Sequence, residues 1–216
     1  MIPPAKVLTF LRKTKVMVES GWFYGTLVDP VLANMRSRIS GHVIAGEKVL
    51  DVACGTGAQV FDLAQTASTA VGIDISTSMI GWAKKMKSKH QLHYTDFYVC
   101  DATNLKQFLE KEFDAAILSL ALHQFNPELH AVVLAEMARV AKRTIIADYT
   151  VPLPKNYAGY GCKVAEFFAG KEHNSNFKKY CRLGGLNQIL PANQYKIHHT
   201  EYFGKNAFQL VVCSPG

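Results

Sequence analysis

Val49-Leu50-Asp51-Val52-Ala53-Cys54-Gly55-Thr56-Gly57 is the stretch on which the reading of this chain turns. A short apolar run, 48–52, gives way to a turn carrying two glycines, and residues 58–65 then follow helical periodicity. Glycines at such a turn let the backbone pass close to a ligand and enter a helix without a side-chain clash. The same alternation continues outward. Strands are predicted at 70–74, 97–100, 113–120 and 143–148, and helices at 78–89 and from Asn126, a capping residue before Pro127, to about 141. Residues 105–109 suggest one helical turn, and Leu129, Val133, Met137 and Val140 the buried stripe of the helix after Asn126.

Beyond the Pro-punctuated segment 151–154 the pattern predicts helices at 157–169 and 176–183, stopped by Gly184-Gly185. An antiparallel hairpin closes the chain, 195–203 and 207–213, joined through Gly204-Lys205-Asn206. Alternating strands and helices imply an α/β fold: a Rossmann-like, doubly wound, mostly parallel sheet of seven strands with an antiparallel C-terminal hairpin. The expected organisation is one domain over 1–216, with an N-terminal helical lid at 1–45 and the Rossmann-like core at 46–216.

Composition supports a globular chain. Hydrophobic residues make up 49% and charged residues 19%, and no apolar run reaches the ~18 residues of a membrane-spanning helix. The first residues lead into Arg12, Lys13 and Lys15 rather than a signal-peptide core, so the expected location is the cytoplasm. Five scattered cysteines, without zinc spacing, read as reduced thiols, mostly small core residues apart from Cys54 in the Gly-rich turn. The net charge of +7 gathers near the start, at Lys84, Lys85, Lys87 and Lys89, and at Lys171, Lys178, Lys179 and Arg182. The middle group reads as the solvated side of a helix whose apolar face is Met79, Ala83 and Met86.

Ligands of such sheets bind beyond the carboxyl ends of the strands. Three acids fall there: Asp51 before the Gly-rich turn, Asp74 at the end of the second strand, 17 residues after Gly57, and Asp101 after the third. A dinucleotide fingerprint would want a third small residue where this chain has Val60. The Gly-rich stretch with its strand-end acids resembles the class I methyltransferases that use S-adenosylmethionine. That resemblance implies cofactor contacts at Asp51, Ala53, Gly55 and Gly57 for the methionine part, with Ala53 standing where many relatives have a first glycine. It further implies Asp74 at the ribose, Ile75 and Met79 along the adenosine, Asp101 and Ala102 at the adenine, and Leu118, Ser119 and Leu120 beside the sulfonium. Tyr24 resembles a tyrosine that touches the cofactor in related enzymes.

The segment 119–125 and Gly184-Gly185-Leu186 resemble the branch acting on small molecules, including quinone precursors and lipid head groups. No Asn/Asp-Pro-Pro-Tyr tetrapeptide of base- or glutamine-modifying enzymes is present. The resemblance implies methyl transfer to a small-molecule acceptor, aromatic, quinone-like or a lipid head group. His123 is the candidate base, and His173, Tyr157 and Tyr160 are secondary candidates. An aromatic hinge at 22–24 and the segment 157–173 are expected to close together over the acceptor. No carboxylate pair suggests a metal. Nucleic acid is not the expected partner, while the basic, aromatic N-terminal segment permits peripheral membrane contact. The alternatives are a non-catalytic S-adenosylmethionine-binding protein, or a methyltransferase acting on membrane lipid or RNA.

Overall fold

The structure, a computed structural model, describes residues 32–216. Tyr24 and the hinge at 22–24 lie outside the described residues. Among the described residues seven strands form one sheet: β1 (Lys48–Val52), β2 (Thr69–Asp74), β3 (Thr95–Val99), β4 (Phe113–Ser119), β5 (Ala141–Tyr149), β6 (Tyr195–Phe203) and β7 (Phe208–Pro215). Their spatial order is β3-β2-β1-β4-β5-β7-β6. The first five are parallel, and β7 runs antiparallel between β5 and β6. Strand order therefore reverses at β1 and β4, which opens a crevice at their carboxyl ends.

Helices cover both faces: α1 (Ala33–Gly41), α2 (Ala58–Leu63), α3 (Thr77–His90), α4 (Pro127–Val140), α5 (Tyr157–Phe168), α6 (Lys171–Arg182) and α7 (Leu186–Ala192). The pleat of β1 shows why two layers are needed. Leu50 and Val52 join one apolar cluster with Val133, Leu134 and Met137 of α4, while Val49 joins the other with Val60 and Leu63 of α2. Met35 and Ile39 of α1 belong to this second cluster, and residues 1–31 of the segment expected as a lid lie outside the described residues. Among the described residues, no helix is long and apolar enough to cross a membrane.

Several local expectations are revised. Leu129 is exposed, and the buried face of α4 is His130, Val133, Leu134, Met137 and Val140. The Asn126 side chain caps no backbone N–H there and instead donates to Glu128 at 3.2 Å, so Pro127 sets the helix start. Residues 105–109 form turns, tied by the Leu105 N–H donating to Glu136. Helix α7, with Pro191 inside it, was hidden by its shortness, and α6 begins five residues earlier than its apolar pattern suggested. Of the cysteines, only Cys162 and Cys213 are fully buried.

Gly57 shows how tightly the turn after β1 is fitted. Its φ is +81°, and a Cβ there would stand 2.5 Å from the Phe97 ring of β3. Gly57→Ala combines a left-handed alanine with a clash against a buried ring, and is expected to destabilise the fold by ~2–4 kcal/mol. Urea unfolding of the variant beside wild type checks this.

Candidate active site

The turn after β1 reverses through left-handed residues at Ala53 (φ +56°), Gly55 (+54°) and Gly57 (+81°). An alanine in that region is strained by ~1–2 kcal/mol, so its neighbours must impose it. They do so by hydrogen bonds. The Cys54 N–H donates to Ile73 O at 2.8 Å, and the Gly55 N–H to Asp74 Oδ2 at 2.8 Å, so the end of β2 holds the turn. Asp74 Oδ1 accepts from the Ser76 N–H, which also organises the start of α3. No side chain crowds the position where a Cβ on Gly55 would stand.

Asp51 lies beneath this turn, 2% exposed, and its Oδ1 has no hydrogen-bond partner. Burial first, and the nearby Asp74 carboxylate second, push its pKa up to about 8. An orphaned buried acceptor in a crevice suits a cationic donor brought by a ligand. Around the same strand ends, Ile75 is 70% exposed while Met79 is buried, leaving apolar surface beside Asp74. Asp101 Oδ1 accepts from the N–H and hydroxyl of Thr103, and Ala102 packs at the core edge. At the end of β4, Leu118 is buried, Ser119 is half-buried and Leu120 turns left-handed (φ +48°), its N–H donating to Ala147 O.

His123 sits on a 3₁₀ turn (Leu122–Gln124) directly after β4, but its ring is 1% exposed. Its Nδ1–H donates to Asp148 Oδ1 at 2.6 Å. Its Nε2 stands 3.4 Å from Glu166 Oε1, an ion-pair separation without an aligned hydrogen bond. Burial pushes the imidazole pKa down, but the Asp148 and Glu166 carboxylates outweigh it and hold the value at about 9. His123 is thus already protonated at neutral pH, and a base must be able to accept a proton. Glu166 opposes its own burial through His123 and through the Tyr149 hydroxyl, which donates at 2.9 Å; its pKa is lowered. Its Oε2 is buried and has no partner.

Asp148, Tyr149 and Glu166 were missed in the sequence. Asp148 is the penultimate residue of β5 and could have been found by the strand-end rule that found Asp74, whereas Glu166 carries no local signal. The structure does not bring Tyr157 or Tyr160 to this site, because both point outward from α5, and His173 is half-buried at the start of α6. Away from the crevice, His42, His199 and Glu201 hold their ligand atoms within 4.8 Å of one another. Glu201 is paired with Arg38 and Arg143 lies beside His42, a cationic setting that opposes a further cation.

A doubly wound sheet with a closing antiparallel hairpin, a strained Gly-rich turn and carboxylates near the strand ends defines the class: an α/β protein with a crevice where strand order reverses. Residues 49–144 match the family model described as a methyltransferase domain. Demethylmenaquinone methyltransferase of Beutenbergia cavernae is 34% identical over 110 residues, covering 50% of this chain and 42% of the relative. The chain spans less than half the length of the curated relatives it matches. Among solved structures, the PH0226 protein of Pyrococcus horikoshii aligns with a TM-score of 0.65 at 20% identity, covering 88% of this chain and 92% of that one. Magnesium protoporphyrin IX methyltransferase of Synechocystis, with bound S-adenosylhomocysteine, aligns with a TM-score of 0.58 at 18% identity, covering 87% and 83%. Residues 49–144 thus match a methyltransferase domain, and the fold around them is the Rossmann-like fold of these solved structures.

The buried charges give the fold a pH signature. His123 is raised from 6.5 to about 9, so its stabilisation is complete below pH 6.5 and lost as pH rises through about 9. Asp51, raised from 3.8 to about 8, acts in the same direction but is spent by about pH 8. Denaturant midpoints are therefore expected to fall with rising pH, His123 contributing between pH 6.5 and about 9, above which the buried thiols of Cys54, Cys162 and Cys213, pushed up by burial, add to the fall. His123→Gln should reduce the slope between pH 6.5 and about 9, and an unchanged slope in that window would contradict the pairing.

Proposed function

We propose that this protein binds S-adenosylmethionine at the carboxyl ends of β1, β2 and β4 and transfers its methyl group to a small, quinol-like aromatic acceptor. The observation that carries the reading is Asp51: a buried carboxyl with an orphaned oxygen beneath a Gly-rich turn fits the α-ammonium group of an amino-acid-bearing cofactor. Asp74 keeps lone pairs on both oxygens for a ribose diol, and exposed Ile75 with Met79 offers apolar surface to adenine. Asp101 and Ala102 fall at the adenine end, and Leu118, Ser119 and Leu120 beside the reacting sulfur. The acceptor class is supported by the relative named for demethylmenaquinone. Five free cysteines accord with a reducing, cytoplasmic setting.

The bound cofactor supplies an electrophilic sulfonium methyl, open to in-line displacement by a nucleophile. The residues of the chain then orient the partners and manage one proton. The left-handed backbone at Leu120 fixes the turn from β4 into the 3₁₀ segment, and thereby the position of His123. His123, clamped by Asp148, holds Glu166 ionised inside the fold. Glu166 Oε2, buried and unpartnered, is the acceptor for a proton leaving a quinol-type nucleophile, with His123 its positioning partner. His123 thereby enters the reaction through Glu166.

Two substitutions separate binding from chemistry. Asp74→Ala removes both a ligand for the ribose and the tie to Gly55, and is expected to weaken S-adenosylhomocysteine binding by ~1.5–3 kcal/mol in calorimetry. Glu166→Gln should leave that affinity unchanged and lower labelled-methyl transfer to a demethylated naphthoquinol by ~10²–10⁴-fold. Tight cofactor binding with no transfer to any quinol, phenol or amine would leave a binding protein in place of an enzyme.

A further inference from the structure

Helix α5 has two faces of opposite design. Gly159, Cys162 and Glu166 are buried against the protein. At 100° per residue, Tyr157, Tyr160, Val164, Phe167 and Phe168 fall on the opposite side, where they are 55% to 77% exposed. An aromatic stripe on the outer side of a helix inverts the usual pattern, in which the solvated face is polar. Exposed apolar surface of this kind marks a binding surface.

The charges around it are as one-sided. Residues 155–182 carry Lys155, Lys163, Lys171, Lys178, Lys179 and Arg182, against Glu172 and the buried Glu166. None of the six cations forms an ion pair among the described residues. Lys163 Nζ lies 5.8 Å from the Tyr160 ring, so a cation borders the stripe itself. Between α5 and α6 a groove of about 450 Å³ is lined by Phe167 and Phe177 together with Lys163, Lys178 and Arg182. Aromatic surface beside unpaired cations is the composition that settles into an anionic bilayer surface: rings enter the head-group boundary and ammonium groups meet phosphates.

Charge also discriminates between occupants. A second copy meeting this face across a twofold axis would set the same cations against themselves. Residues 1–31 are themselves net basic, with Lys6, Arg12, Lys13 and Lys15 against Glu19 and Asp29. We infer that the outer face of α5, with the basic groove beside α6, docks this protein on a membrane surface containing anionic phospholipid. The inference stands apart from the identity of the acceptor, because it uses none of the residues placed at the cofactor.

Sedimentation of the full chain with vesicles tests it, comparing phosphatidylcholine alone with phosphatidylcholine containing phosphatidylglycerol. Wild type is expected to sediment with the anionic vesicles and to remain in solution with the neutral ones. Tyr160→Ser/Phe167→Ser/Phe168→Ser should weaken vesicle binding at least ~10-fold, with melting temperature and S-adenosylhomocysteine affinity unchanged. Lys163→Ala/Lys178→Ala/Arg182→Ala should weaken it on the order of 100-fold. Wild type that ignores anionic vesicles, or either triple variant binding as tightly as wild type, overturns the proposal. So does an aromatic variant that melts early, which would place the stripe under other residues of the chain, or one that turns a dimer into a monomer. A loss of cofactor binding in wild type would instead count against the proposed methyl transfer and leave the vesicle result intact.

Discussion

The carboxyl group of Asp51, buried beneath a turn that the chain can make only in strained geometry, is the constraint on which the rest of the site depends. Leaving a buried acceptor unpaired costs about 1–3 kcal/mol, and the left-handed Ala53 adds to that. Both are tolerated because two apolar layers meet at β1: Leu50 and Val52 anchor one, Val49 the other, and the strand cannot shift register without exposing them. The Gly55 to Asp74 hydrogen bond then ties the turn to β2. Strain and desolvation are concentrated at the crevice where strand order reverses.

A second concentration of charge lies at the ends of β4 and β5 and has a different logic. Asp148, His123 and Glu166 alternate in sign, so each carboxylate lowers the cost of burying the cation between them. The net excess of one negative charge rests on Glu166, whose second oxygen is unpartnered. Helix α5 supplies that residue from its inner side while turning its aromatic residues outward. One helix thus serves the interior through a single carboxylate and faces the surroundings with a large apolar stripe.

Much of the fold was legible in the sequence because its signals are local. The run 48–52 and the long apolar strand β4 could be read from composition, and the closing hairpin from its alternation and its Gly-Lys-Asn turn. Helix α7 could not, since Pro191 and a length of seven residues imitate a loop. The strand-end acids were also legible, because topology puts such positions at a crevice. The state of His123 was not: its charge is set by Asp148 and Glu166, residues 25 and 43 positions away, brought together only by packing. The outward aspect of Tyr157 and Tyr160 was likewise invisible, because their spacing fits a stripe on either side of a helix until its neighbours are known.

The central claim, that Asp51 waits protonated for a cationic ligand group, is open to a direct measurement. S-adenosylhomocysteine carries the same α-ammonium as the cofactor, and pairing with it should drive the proton off a carboxyl held at about 8. Calorimetric titration at neutral pH, repeated in buffers of low and high ionisation enthalpy, counts the protons exchanged on binding. Release of nearly one proton by wild type, and of none by Asp51→Asn, is the expected result. Binding without proton release, or equal release from both proteins, would contradict the account.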